Sequence, residues 1–210
     1  PNIFVYTHDS VALGEDGPTH QPIEHMVTLR STPNLNNWRP ADLVETAVAW
    51  KSAVSSKTTP TCLIFSRQGT SAIERTSEQL SSIKMGGYLI EENEDADITI
   101  VASGSEVQLA IDAAKELKNE SIDANVVSMP SLDTFLELSN DAQNKIINPN
   151  KPVLVIECAH PNSWYKFLNR NDEVIGIESF GESAPGAILL DHFGFNIENV
   201  VSKALAKINE

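Results

Sequence analysis

The amino-acid sequence predicts an α/β protein of two units, each with a mainly parallel sheet flanked by helices, the first unit being incomplete. Two observations support this fold class. Short apolar runs alternate with stretches of helical periodicity along most of the 210 residues, which is typical of parallel strands joined by helices. A segment with a glycine pair and five acids, residues 84–97, separates two such alternating regions and is the best candidate for a domain boundary.

Four segments of the first unit carry these patterns: residues 3–8, 20–33, 38–54 and 61–65. The first and last are short apolar runs that predict buried strands, whereas the two middle segments space their apolar residues as a helix does. Pro40 and Asp42 stand where the helix of the third segment should begin. Because the chain starts on an apparent core strand and reaches a polar loop at once, we expect this unit to be cut.

The second unit shows a clearer alternation. Four apolar runs predict strands: residues 97–102, 123–130, 152–159 and 174–180. A tight Ser103-Gly104-Ser105 turn joins the first of them to an amphipathic helix, and the segment 184–208 supplies the remaining helices. We find no internal repeat and no low-complexity segment.

Composition excludes several functional classes. The formal net charge is −14, from 15 basic and 29 acidic residues, which argues against nucleic acid as a partner. No apolar run approaches the roughly 20 residues of a membrane span. Cys62 and Cys158 lie far apart in apolar runs and are interpreted as small core residues of a cytoplasmic protein rather than as a disulfide or a zinc motif.

The loop THDSVALGEDGPTHQPIEH, residues 7–25, carries the residues best suited to a polar ligand. His8 is at the C-terminal end of a predicted parallel strand, where open α/β proteins place their ligands. Gly14 and Gly17 allow tight turns, while Asp16 and His20 flank the Gly-Pro-Thr stretch. Histidine can polarise a carbonyl or donate to a phosphate, and aspartate can accept from a sugar hydroxyl.

Two other interpretations of this loop stay open on composition alone. In one, it is an ordinary surface loop whose histidines cap nearby helices. In the other, Asp16, His20 and Glu24 bind a metal, although their spacing matches neither a zinc nor a calcium motif.

Outside the loop, Arg67 ends a predicted strand and could clamp a phosphate or pair with a surface acid. The Ser103-Gly104-Ser105 turn could bind an anion at a helix N-terminus, or could simply be a capped turn. Residues 181–185 form a structured loop before a helix, and Glu157 and Glu178 are interpreted as exposed strand ends.

Several stretches resemble transketolases, in order along essentially the whole chain. The loop THDSVALGEDGPTHQPIEH is followed by LRSTPNLNNWRPAD, FSRQ, GGYLIEE, ASGSEV, VVSMPSLDTF, FGESAP and FGFNIENVV. Deoxyxylulose phosphate synthase has a similar GADGPTHH-type loop, but the THDS, QPIE and WRPAD motifs favour transketolase. Dihydroxyacetone synthase, a close relative with the same chemistry, remains an alternative.

The resemblance implies the second half of a pyrimidine-binding domain at residues 1–91 and a complete C-terminal domain at residues 92–210. It also implies a cytoplasmic homodimer of the pentose phosphate pathway with active sites between subunits. The full-length enzyme transfers a two-carbon ketol unit from a ketose phosphate to an aldose phosphate, using thiamine diphosphate and a divalent metal, Mg or Ca.

By residue match to the family motifs, His8, Asp16, His20 and Arg67 fall on substrate-binding positions. His8 and Arg67 would hold the sugar phosphate, Asp16 would accept from a substrate hydroxyl, and His20 would lie near the reacting carbon.

The GDG…N stretch that holds diphosphate and metal in the family has no counterpart, and the glutamate that activates the cofactor is expected before Pro1. We therefore expect no catalytic base, no cofactor-binding residue and no metal ligand in this chain, and no activity of the chain alone. A non-catalytic binding or assembly module, with its ligand at residues 103–105, is the competing hypothesis.

Overall fold

The computed structural model describes residues 1–209. Eight strands are described: β1 Ile3–Asp9, β2 Asn36–Trp38, β3 Thr61–Ser66, β4 Tyr88–Glu91, β5 Ile98–Ala102, β6 Ala124–Ser128, β7 Val153–Ile156 and β8 Glu173–Ile175. Eight α-helices are described in the same residues: α1 His25–Ser31, α2 Leu43–Ser55, α3 Ser77–Ser82, α4 Glu106–Asn119, α5 Leu132–Leu136, α6 Asn140–Ile146, α7 Gly186–His192 and α8 Ile197–Ile208.

The first sheet has three parallel strands in the order β1-β3-β2. The helix α2 follows β2, and Asp42 caps it by accepting from the backbone N–H groups of Val44 and Glu45 at 3.1 and 3.0 Å. In the register of the first strand pair, Asp9 faces Ser66, so β1 and β3 end side by side. This pairing places the loops that follow both strands at one edge of the sheet.

The second sheet has five strands in the order β4-β6-β5-β7-β8. Only the β4–β6 pair is antiparallel among the described strands; the other three pairs are parallel. The long helices α4 and α8 lie against this sheet and bury their apolar faces. The predicted α/β class with mainly parallel sheets is therefore confirmed.

The two sheets share one hydrophobic core. Trp38 and Leu63 of the first sheet belong to the same buried cluster as Ile98 and Leu154 of the second. The strand β4 precedes residue 92 yet pairs with β6 of the second sheet. The boundary between residues 91 and 92 stays a prediction.

The prediction that residues 3–8 form a buried strand is wrong in one respect. The strand exists, but Ile3, Phe4, Val5 and Tyr6 are between 37% and 47% exposed. The physical reason is the packing of β1, an edge strand that contacts mainly β3 and the turn after it, whereas the other edge strand, β2, is also covered by α1 and α5 and is mostly buried.

The interpretation of Glu157 as an exposed strand end is also wrong, because this residue is fully buried. Glu178 is exposed, as expected, and Cys62 and Cys158 are buried free thiols, as expected. Of the elements that the sequence did not predict, β2 has only three residues, while α5 and α6 are short helices held by the serine caps Ser131 and Ser139. In residues 1–209, no helix has the length and apolarity needed to cross a membrane.

Candidate functional site

A cavity of about 580 Å³ opens where β1 ends. It is lined by residues 6–10, by residues 18–22, by part of the first turns of α1, and by Arg39, Ile64, Cys158 and Ala159. Its volume lies within the roughly 300–1,000 Å³ that small-molecule sites occupy. Most of the cavity wall is therefore formed by the loop between β1 and α1. Cys158 and Ala159, which follow β7, complete it on the side of the second sheet.

The backbone at the end of β1 is kinked. His8 and Ser10 both have φ 65°, in the left-handed region that non-glycine residues rarely adopt. The pairing with β3 is irregular between Tyr6 and Asp9, and the Ser10 hydroxyl accepts from the Ala12 N–H at 3.2 Å. Such conformations cost about 1–3 kcal/mol each and persist only where the surroundings hold them.

A buried ion-pair cluster supplies that restraint. The Arg39 guanidinium donates through Nε to Asp9 Oδ2 at 2.5 Å and through Nη1 to Glu106 Oε2 at 2.6 Å and to the Ser103 carbonyl at 2.7 Å. Burial by itself lowers the pKa of Arg39, but the carboxylates of Asp9 and Glu106 raise it well above its ordinary value. Arg39 is therefore a permanent cation that ties the end of β1 to the start of α4.

A second buried pair anchors the other end of the loop. Arg30 of α1 donates through both terminal nitrogens to the Glu157 carboxylate, at 2.6 and 2.7 Å. Ser103 Oγ and Trp164 Nε1 also donate to this carboxylate, at 2.6 and 2.7 Å. Burial raises the pKa of Glu157, but Arg30 and the other donors prevail and lower it to about 2. Helix α1 is thereby fixed to β7.

The middle of the loop is held by a side-chain amide. Gln21 is buried and its Nε2 donates to the carbonyls of Gly14 and Glu182, both at 2.9 Å, with a longer contact of 3.4 Å to the Val11 carbonyl. Ser183 Oγ donates to the Glu15 carbonyl at 2.6 Å. Residues 182–183 therefore hold the loop in place through hydrogen bonds with Gln21 and Glu15.

The structure brings two of the four predicted site residues to the cavity. His8 and His20 both line it; each is exposed, and each forms a 2.9 Å hydrogen bond through Nδ1 to the hydroxyl of the preceding threonine. Asp16 and Arg67 are exposed and lie outside the lining. Arg67 follows Ser66, the partner of Asp9, so it lies beside the end of β1.

The alternative metal cluster of Asp16, His20 and Glu24 is not assembled. In the described part of the chain, no three His, Cys, Asp or Glu side chains lie close enough together to hold a metal ion. Residues 103–105, the alternative anion site, are occupied by a protein cation, because the Arg39 guanidinium lies directly against Gly104.

Sequence reasoning missed the buried residues that hold the loop, namely Gln21, Arg30, Arg39, Glu106 and Glu157. One signal was available: Arg39 stands directly between the apolar residues Trp38 and Pro40, and an arginine buried beside them would be costly unless it were paired.

Comparison with known proteins identifies the family. Residues 1–71 match the pyrimidine binding domain of transketolase, and residues 86–196 match the transketolase-like C-terminal domain. The chain belongs to the transketolase family.

Individual transketolases are similar along the whole chain. Transketolase 1 of Vibrio parahaemolyticus is 48% identical over 206 residues, covering 97% of this chain and 31% of the relative. Transketolase of Bacillus subtilis is 45% identical over 214 residues, covering 100% of this chain and 32% of the relative. The chain thus spans about a third of the length of the curated relatives it matches.

Solved transketolase structures share the fold. A Pichia stipitis transketolase in complex with sedoheptulose-7-phosphate superimposes with a TM-score of 0.91 at 40% identity, covering 97% of this chain and 29% of that one. A transketolase variant from the same organism gives a TM-score of 0.93 at 40% identity, covering 99% of this chain and 30% of that one.

Proposed function

We propose that this chain supplies the sugar phosphate-binding part of a thiamine diphosphate-dependent ketol transfer. In that reaction a two-carbon ketol unit passes from a ketose phosphate to an aldose phosphate in the pentose phosphate pathway. The observation that carries the proposal is the placement of His8 and His20 in one cavity at the carboxyl end of β1, within a chain of the transketolase family.

The four residues divide the work by their chemistry. His8 lies near the end of β1 and Arg67 directly follows the adjacent strand β3, and their N–H donors hold the phosphate of the sugar. Asp16, exposed in the loop, accepts from a substrate hydroxyl and so selects its stereochemistry. His20 donates to the oxygen on the reacting carbon as negative charge develops there.

Sugar phosphates are supported as ligands by a solved relative. A Pichia stipitis transketolase was determined with sedoheptulose-7-phosphate, and its 40% identity covers 97% of this chain. The cavity suits such a ligand, because the rings of His8 and His20 each contact a threonine hydroxyl through Nδ1 and have a second nitrogen, Nε2, that donates or accepts according to the tautomer.

The cofactor and metal belong to the full-length reaction. Thiamine diphosphate supplies the nucleophile and the electron sink for carbon–carbon cleavage when it is bound, with a divalent metal, Mg or Ca, holding its diphosphate. The described residues contain no three-ligand metal cluster, so no step is assigned to a metal ligand of this chain. We further infer a cytoplasmic homodimer, a pyrimidine-binding part at residues 1–91 and a C-terminal domain at residues 92–210.

The test of ligand class is a thermal-shift titration of the 210-residue chain with sedoheptulose-7-phosphate. We expect stabilisation of the parent chain that is lost in Arg67→Ala and His8→Ala and kept in Arg170→Ala, a substitution of another exposed arginine. Loss of the shift in Ser105→Ala alone would support the competing binding module at residues 103–105 and overturn the proposal.

A second assay addresses turnover. We expect no ketol transfer by the 210 residues alone and measurable transfer after mixing with a polypeptide that carries the remaining two thirds of a transketolase relative. Hydroxypyruvate as the ketol donor would not by itself separate transketolase from dihydroxyacetone synthase. The assay should therefore compare two acceptors, an aldose phosphate and formaldehyde. Transfer to formaldehyde only would favour the dihydroxyacetone synthase alternative. Synthesis of deoxyxylulose phosphate from pyruvate would favour the deoxyxylulose phosphate synthase alternative.

A further inference from the structure

The turn at residues 103–105 has a role that the substrate contacts do not explain. Gly104 has φ 58°, and a Cβ there would lie 2.7 Å from both Cζ and Nη1 of Arg39. The guanidinium therefore lies against the bare backbone of the turn, in contact closer than any side chain would allow. The absence of a side chain at Gly104 is what makes room for this arginine.

The turn also fixes the direction of the guanidinium. Arg39 Nη1 donates to both the carbonyl and the hydroxyl oxygen of Ser103, at 2.7 and 3.1 Å, and to the Glu106 carboxylate at 2.6 Å. The backbone adds a further link, because the Gly104 N–H donates to the Arg39 carbonyl at 3.0 Å. With one edge of the guanidinium held in this way, its Nε has a single direction in which to donate.

That direction leads to the cavity. Arg39 Nε donates to Asp9 Oδ2 at 2.5 Å, and both side chains line the cavity. Asp9 stands between His8 and Ser10, which both have left-handed backbone. Since Asp9 is 5% exposed and paired with a buried cation, it cannot rotate without breaking an ion pair. A fixed Asp9 constrains the preceding peptide, and hence the direction in which the Cα–Cβ bond of His8 points from the strand.

We propose that the Ser103–Ser105 turn and Arg39 act as a positioning relay that sets the orientation of His8 in the cavity through Asp9. Arg39 and Gly104 are then positioning residues for the ligand, although neither is assigned a contact with it. The effect on ligand affinity rests on the proposed function, whereas the effect on the His8 ring does not.

The experiment compares two relay variants with a matched control in the intact 210-residue chain. One relay variant is Arg39→Lys, which replaces the guanidinium with an ammonium and so removes the separate Nε and Nη1 donors to Asp9 and Glu106. The other is Gly104→Ala, whose Cβ displaces the guanidinium. The control is Arg75→Lys: the side chain of Arg75 is 1% exposed and also pairs with two acids, Asp42 and Glu45, but none of these three residues lines the cavity.

The first readout is the ring resonances of the five histidines in the ligand-free, ring-labelled chain, with His8 assigned through His8→Gln. We expect the His8 resonances to move in both relay variants and to stay in place in Arg75→Lys, while His192 stays in place in all three. If Arg39→Lys does not fold, Gly104→Ala decides the question.

The second readout is the dissociation constant for sedoheptulose-7-phosphate. A misplaced His8 should weaken binding by roughly five- to tenfold in the relay variants, since displacement by a fraction of an ångström is enough to lose a directed contact. In the background of Arg39→Ala, Gly104→Ala should add no further change, because no guanidinium remains to be displaced.

The relay is wrong if the His8 resonances in Arg39→Lys and Gly104→Ala match those of the parent chain while all three variants lose thermal stability to a similar degree. That pattern would show a purely structural ion pair. If the parent chain fails to bind the sugar phosphate but His8 still responds to the relay variants, the proposed function fails and the relay stands.

Discussion

The amide of Gln21 offers the sharpest test of how the loop is held. The substitution Gln21→Met keeps the length and approximate volume of the side chain and removes its donors. Two hydrogen bonds of 2.9 Å, to the carbonyls of Gly14 and Glu182, are lost, together with the longer contact to Val11. At about 0.5–1.5 kcal/mol for each of the two short bonds, the expected loss is about 1–3 kcal/mol.

Two measurements follow from that estimate. For a chain of this size, a loss of about 2 kcal/mol lowers the melting temperature by about 4–8 °C. If the loss is confined to the loop, hydrogen exchange at the Gly17 and His20 amides, which donate to Gly14 and Gly17, accelerates by about 30-fold, since every 1.4 kcal/mol is a factor of ten.

Gln143 provides the matched control. Its Nε2 donates to the Leu138 carbonyl at 2.9 Å and, more weakly, to that of Leu136 at 3.4 Å, in α6 far along the chain from the loop. Gln143→Met should lower the melting temperature less and leave exchange at Gly17 and His20 unchanged. Equal exchange at these two amides in both variants would show that Gln21 does not hold the loop.

Three further predictions concern stability and reactivity. Glu157, with a pKa lowered from 4.5 to about 2, contributes stability that is fully present above about pH 4.5 and lost as the pH falls toward 2. The free energy of unfolding from urea titrations should therefore fall between pH 5 and pH 3 by about 2 kcal/mol more in the parent chain than in Glu157→Gln. Gly86→Ala should lower the free energy of unfolding by about 2 kcal/mol or more, because Gly86 has φ 83° and a Cβ would lie 2.3 Å from a carbonyl oxygen. In the control Gly69→Ala, the new Cβ meets no atom within 4 Å, so the free energy of unfolding from chemical denaturation should stay within about 0.5 kcal/mol of the parent value. Burial raises the pKa of the Cys62 and Cys158 thiols, so both should react with iodoacetamide at pH 8 far more slowly in the native chain than in urea; rapid native labelling of either would contradict their burial.

Local pattern was sufficient for most of the fold. Apolar runs and helical spacing are properties of neighbouring residues, so β3, β5, β7, α2 and α4 could be located from the sequence. Burial of β1 could not, because an apolar strand looks the same whether it lies in the centre or at the edge of a sheet. Short elements such as β2 carry too few residues to show a period.

The site divided in a similar way. The loop was recognisable from its histidines and glycines, and resemblance to a family predicted four substrate-binding residues, of which His8 and His20 line the cavity. The groups that hold the loop were not recognisable, because each ion pair joins residues far apart along the chain, such as Arg30 with Glu157 and Arg39 with Glu106. A single sequence contains the charges but no information on which of the 29 acids meets which of the 15 basic residues.

The exposed edge of β1 has a consequence for the colloidal behaviour of the chain. An edge strand with apolar side chains is a template onto which another extended segment can add by backbone hydrogen bonding. The net charge of −14 opposes the approach of two copies, but this repulsion is screened within about 8 Å at physiological ionic strength. Added salt should therefore lower the concentration at which solutions of the chain remain dispersed, and dilute buffers should raise it.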